Sequence, residues 1–114
     1  MATYTPVIAS GSTNGKQIKI TTTSSPGDTL HTAHASDIDE VTIWATNTDT
    51  SPRKLSVQLG GTATDDLIEI TIPPESGEVL IVDAARLTGS VVVKAFCATA
   101  NVVNCRVSVN RITS

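Results

Sequence analysis

Runs rich in Val, Ile and Thr recur from one end of this chain to the other, cut apart by clusters of Gly, Pro, Asp and Ser. β-Branched side chains lose little freedom on a pleated surface and more on a helix, so such runs extend into strands. Thr, Val and Ile together make up 40 of the 114 residues, and no helical periodicity survives beyond one turn. Short strands punctuated by turn residues predict an all-β chain: a compact antiparallel β-sandwich, jelly-roll-like, of about eight strands. The length fits one domain with two packed layers.

The runs place strands near Thr5–Ala9, Lys16–Thr22, Thr29–Ala33, Glu40–Thr48, Arg53–Gly60, Leu67–Ile72, Glu78–Val82, Ser90–Cys97 and Cys105–Thr113. TNTDTSPRK, with Asp49 and Pro52, reads as a hairpin connection, as does ATANVVN between Cys97 and Cys105. GGTATDD, PPESGE and RLTGS read as loops that join antiparallel neighbours. Around Ala84 to Leu87 the sequence allows no more than a turn. Residues 16–114 form the sandwich. Residues 1–15 are either an N-terminal arm with a flexible GSTNG linker, able to add a strand to another chain's sheet, or the sandwich's first strand.

Alternation predicts which side chains point inward. Leu55, Val57 and Leu59 share one face, with Lys54, Ser56 and Gln58 on a wet opposite face; Ile68, Ile70 and Ile72 point inward, as do Ile18 and Ile20 around Lys19. Two strands break the rule. Trp44 stands opposite Val41, Ile43 and Ala45, and Val92 and Phe96 stand opposite Val91, Val93 and Ala95. Large apolar groups on both faces imply a strand covered on its second side. A two-layer sandwich has no third layer to provide that cover, so Trp44, Phe96 and Val92, with Tyr4, Val7 and Ile8 of the apolar N-terminal stretch, are the candidate subunit-interface residues. The competing reading places a ring over an open end of the barrel or under the N-terminal segment.

Charge and composition narrow the function. The formal net charge is −3, and the eight Lys and Arg residues are scattered rather than concentrated in a stripe, which argues against nucleic acid as a partner. The longest strongly apolar run is VLIV at 79–82, and the first residues lack the pattern of an export signal, so no membrane partner is expected and two Cys are expected to mature in a reducing cytoplasm. Cys97 and Cys105 read as two buried thiols; the alternative is a bridge across the connection between them, which the strict geometry of a disulfide permits only in a suitable register.

Chemistry-bearing motifs are sparse. His31 and His34 are three apart, a spacing that sends them to opposite faces of a strand and prevents joint chelation. Asp37, Asp39 and Glu40 lack the further oxygen ligands and the turn Gly of a calcium loop and read as a solvated loop lip. Asp65 and Asp66 are adjacent, so on a strand they diverge and make no acid–base pair. No G-x-S-x-G elbow occurs, and both His lie in one short segment. The sequence therefore implies no catalytic residue, no metal site and no cofactor. A receptor- or glycan-binding module is the alternative function, though three aromatic residues leave little for a sugar-stacking platform; 29 Thr and Ser supply a flat hydrogen-bonding surface suited to lattice contacts as well as to solvent.

DIDEVTIWATNTDTSPRKLSVQLGG, then DLIEITIPPESGEVLIV, then VVVKAFCATANVVNCRVSVNRIT resemble the small structural proteins of tailed bacteriophage virions. The likeness spans roughly Asp37 to Thr113. It implies a virion component assembled in the host cytoplasm: a capsid decoration (cement) protein, or else a head, neck or tail fibre component. A homo-oligomer, with a trimer favoured, and the major capsid protein or other virion proteins as partners are further implications of the resemblance. It transfers no site residue.

Overall fold

The computed structural model describes residues 2–113, which fold into two antiparallel sheets packed face to face. The strands are β1 (Thr3–Ile8), β2 (Ile18–Lys19), β3 (Asp28–Thr32), β4 (Ile38–Asn47), β5 (Arg53–Leu59), β6 (Leu67–Ile72), β7 (Val79–Leu87), β8 (Val92–Cys97) and β9 (Val103–Thr113). One sheet runs β1-β9-β4-β7, with the two-residue β2 on the same edge of β9 as β1. The other runs β3-β8-β5-β6. Pairing is nested, β1 with β9, β3 with β8, β4 with β7 and β5 with β6, which is the pattern of a long hairpin ladder rolled into a sandwich: a jelly roll. Eight strands carry the roll and β2 is a ninth.

The central ladder joins β4 and β9 from Ile38↔Ile112 to Asn47↔Val103 without a register break. Along it, Val41, Ile43 and Ala45 meet Val109, Val107 and Cys105 on the inner face, so the alternation of the sequence becomes one wall of the core. The facing sheet supplies Leu30, Leu55, Val57, Ile72, Val93 and Ala95, all without solvent exposure. Fully burying each larger aliphatic side chain contributes about 1.5–3 kcal/mol, which makes this shared core the main source of stability.

Several expectations about the connections are corrected. TNTDTSPRK is not a hairpin: β4 and β5 belong to different sheets, and the segment arches between them. The same holds for PPESGE, RLTGS and ATANVVN, while GGTATDD alone among these joins paired neighbours. Turn chemistry reverses the chain equally well within a sheet or between sheets, so it does not separate the two. The β4–β5 arch is held from inside by buried Asn47, whose Nδ2 donates to the carbonyls of Ser51 (2.9 Å) and Ile72 (3.0 Å) and whose Oδ1 accepts from the Asp49 N–H (2.9 Å).

Ala84 to Leu87 is strand rather than turn. β7 continues to Leu87 through a bulge, with Ala84 at φ 52° and its N–H donating to Thr42 Oγ1 (3.1 Å). The wet face assigned to β5 is also corrected: Ser56 and Gln58 are buried. The segment between β2 and β3 folds over Gln58, the Gly27 N–H donating to Gln58 Oε1 (2.9 Å) and Gln58 Nε2 to Ser25 Oγ (2.8 Å), while Ser56 Oγ donates to Glu69 (3.0 Å). Gly27 permits this approach, because a methyl group there would overlap the Ala95 peptide.

Residues Thr3–Ile8 form an edge strand of the sandwich itself, and GSTNG is a hydrogen-bonded turn, with Ser12 N–H donating to Ala9 O and Lys16 N–H to Thr13 O. Pro6, which has no N–H, sits in this edge strand, where it limits pairing with a further strand.

Cys97 and Cys105 are free, buried thiols, one on each sheet. Burial, reinforced by the neighbouring Cys97, pushes the Cys105 thiol up to about 12, leaving almost no thiolate at neutral pH. Native protein should therefore resist a thiol reagent at pH 8 and take up two labels once denatured, with no mass change on reduction. Rapid labelling of the native chain would contradict this packing.

Candidate contact surface

The outer face of the five-stranded sheet follows from the same parity that builds the core. Residues of β4 between the buried positions, Ile38, Glu40, Thr42, Trp44 and Thr46, point outward, and β9 answers with Ile112, Asn110, Ser108, Arg106 and Asn104. β1 adds Tyr4, Pro6 and Ile8, and β7 adds Leu80 opposite Trp44. The large apolar side chains exposed among the described residues are Tyr4 (60%), Ile8 (58%), Leu80 (49%) and Ile38 (39%), and all four lie on this face. Water-facing sheet surfaces are usually dominated by polar groups, so the collection of all four on one face sets this surface apart from the rest of the molecule.

The apolar groups form two clusters, with Ile8 between them on the β1 edge, beside Ser108. At one end Tyr4, Ile112 and Ile38 stand side by side in adjacent strands, and at the other Leu80 flanks Trp44. Arg106 lies over the Trp44 ring, 4.0 Å from its centroid, and its Nε and Nη2 donate to Glu78. Between the clusters run Thr42, Ser108 and Asn110 and the ion pair of Arg86 with Glu40 (3.3 Å). Where β1 leaves β9 and β2 joins it, a hollow of about 270 Å³ opens beside Ile8, Arg106 and Ser108.

The six candidate interface residues thus separate into three places. Tyr4, Ile8 and Trp44 share the face just described. Val7 points the other way, half-buried against the core opposite Val109. Phe96 and Val92 lie on the outer face of the opposite sheet, where Phe96 is the cross-strand neighbour of Ser56. Trp44 and Phe96 are both half-buried within the single chain, and a single flat contact cannot include both.

A second cluster was misread in the sequence. Asp39 is not part of a solvated lip but is fully buried at one end of the sandwich. Its carboxylate accepts from Arg111 Nε (2.8 Å) and Nη2 (3.0 Å), from His31 Nε2 (2.7 Å) and from the His34 backbone N–H (3.1 Å). The Ser10 N–H donates to His31 Nδ1 (3.0 Å), an arrangement that assigns the ring proton to Nε2. The chain leaving β1 and the strands β3, β4 and β9 are thereby tied at one point. Burial opposes ionisation of Asp39, yet the Arg111 and His31 hydrogen bonds outweigh it and hold the carboxyl down at about 2. The parity of the strands was the available signal, since Asp39 falls in step with Val41 and Ile43, and Arg111 with Val109.

Ser10, His31 and Asp39 meet here, but not as a nucleophile and its base. The lone pair of His31 faces the Ser10 backbone N–H, while Ser10 Oγ accepts from the Thr32 N–H (2.7 Å). His34 lies beyond the end of β3, half-exposed, its Nδ1 accepting from the backbone N–H groups of Ser36 and Asp37. Asp66 accepts from the Ala63 N–H in the short turn before β6, and Asp65 adjoins it. Among the described residues no group of three His, Cys, Asp or Glu is placed to hold a metal ion.

Because the carboxyl of Asp39 is depressed in the folded state from an ordinary 3.8, its contribution is complete above about pH 4 and is lost as pH falls towards 2. That contribution is about 2 kcal/mol. Urea denaturation between pH 5 and pH 2 should show the loss, and a flat profile across pH 4 to 2 would contradict it.

No family model, curated protein or solved structure matches the chain.

Proposed function

We propose that this chain is a structural virion protein, a capsid decoration (cement) protein that stabilises a phage head as a homo-oligomer through protein–protein contacts. The observation that carries the reading is the gathering of Tyr4, Ile8, Ile38 and Leu80 on one sheet face, beside the half-buried Trp44. A rigid jelly roll with one such face is suited to repeated contacts, each weak alone and strong in number. The sequence resemblance to virion structural proteins supplies the particle as the setting. In this reading the shell gains resistance to the pressure of packaged DNA because neighbouring subunits are tied together. A role in the neck or a tail fibre uses the same contact chemistry. A glycan reader is less well supported, since Arg106 occupies a face of the Trp44 ring that a sugar would need.

The test is addition of purified chain to phage heads prepared without it. Saturable binding at a fixed stoichiometry, together with heads that survive a higher temperature, is the expected result. Heads that bind none of the chain and gain no heat resistance would refute the reading.

A further inference from the structure

The outer face of the five-stranded sheet has three properties that together specify its occupant. Its apolar groups run along the face, Tyr4, Ile112 and Ile38 at one end, Ile8 beside Ser108 in the middle and Trp44 and Leu80 towards the other, so that one surface offers several apolar contacts. Its central charges are paired, Arg86 with Glu40 and Arg106 with Glu78, and among the described residues its edges add one unpaired charge of each sign, Asp83 in the β7 bulge and Lys19 on β2 beside Asn104, so the face offers no surplus of one sign for an oppositely charged partner to neutralise. The remaining polar groups, Thr42, Ser108 and Asn110 in the middle and Thr46 and Asn104 beyond Trp44, each both donate and accept hydrogen bonds, so the surface is compatible with a copy of itself, as an all-donor or all-acceptor surface would not be.

Area is sufficient as well. β4 and β9 are 10 and 11 residues long. At a rise of ~3.3 Å per residue and a strand spacing of ~4.8 Å, four strands present a face of roughly 600 Å². Two such faces bury about 1,200 Å², the size at which stable protein interfaces begin.

We infer that a second copy of this chain seats on the outer face of the five-stranded sheet, through Tyr4, Ile8, Ile38 and Leu80. The inference rests on the contact reading above and adds that this face meets another copy of the chain rather than the shell. Trp44 and Arg106 form the floor of the contact, while Phe96 and Val92, on the opposite sheet, stay outside it.

Size-exclusion chromatography with light scattering on the full chain, over a hundredfold range of micromolar concentration, tests this directly. The wild-type chain should run at twice its 11.9 kDa mass or a higher whole-number multiple. Leu80→Asp and, separately, Ile8→Asp should each raise the dissociation constant at least tenfold, whereas Thr71→Asp, on the opposite sheet, should not. Circular dichroism and a melting curve on each variant separate loss of contact from loss of fold, and the two variants on different strands guard against misfolding of one. A monomeric wild-type chain would overturn the inference, as would an oligomer unaffected by folded Leu80→Asp and Ile8→Asp. A monomer that still binds phage heads through this face would make a shell protein the occupant, overturning the second copy while leaving the decoration reading in place.

Discussion

Asp39→Ala should cost about 3–5 kcal/mol of folding free energy, because it leaves a buried His31 and the inner end of Arg111 without the carboxylate that satisfies them. Loss of a partner from a buried ionic group carries the desolvation cost of the group left behind, and His31 is as enclosed as Asp39. Arg111 is partly exposed and can turn to water, which places the effect towards the lower end of that range. Asp39→Asn should fall between wild type and Asp39→Ala, since its amide oxygen can still accept from Arg111. Urea denaturation at pH 7 reads all three, and a loss below about 1 kcal/mol for Asp39→Ala would mean that the cluster does not hold the end of the sandwich together. The same variant should also lose the part of the acid sensitivity between pH 4 and 2 that Asp39 contributes, and so be less acid-sensitive than the wild type over that range.

Ile20→Ala should be the next most damaging, at about 2–5 kcal/mol. Ile20 has no solvent exposure, its N–H donates to Val103 O (3.0 Å) and its carbonyl accepts from the Asn101 N–H (2.9 Å). The residue therefore pins the chain where it leaves the five-stranded sheet to cross towards β3. Truncation leaves a cavity in a core that both sheets share, and the backbone bonds prevent the segment from closing over it. If the buried thiols become reactive only through global opening, their labelling should accelerate about a hundredfold for each ~2.7 kcal/mol lost. A stability loss with unchanged labelling would instead assign thiol exposure to local fraying.

The strand runs were legible because the alternation of Val, Ile and Leu with Thr, Lys and Ser is itself the physical cause of a half-buried strand. Leu67–Ile72 is read with the bounds that the structure has, and β4, β5, β8 and β9 to within a few residues. Sheet membership was not legible. ATANVVN and TNTDTSPRK have the composition of hairpin loops, and what makes them arches is the pairing of their strands elsewhere, a long-range property. Gln58 shows the same limit: a polar residue opposite Leu55 and Val57 reads as wet until another part of the chain, Ser25 to Gly27, is folded over it.

The proposed contact face was half legible. Trp44 was recognisable as a large ring in an outward position, and Tyr4 and Ile8 as members of an apolar stretch. Ile38 and Leu80 were not, because each sits in a segment whose neighbours are also apolar or acidic, and only the β4–β7 and β4–β9 registers bring them onto one surface. Phe96 has the same sequence signature as Trp44 yet belongs to the other side of the molecule, since β8 and β4 lie in different sheets.

Cryo-EM of intact virions that carry this chain tests the central claim most directly. The account predicts density for the jelly roll on the outside of the head, with the sheet bearing Tyr4, Ile8, Ile38 and Leu80 pressed against another polypeptide. A jelly roll whose five-stranded sheet faces open solvent at every position it occupies on the particle would contradict it.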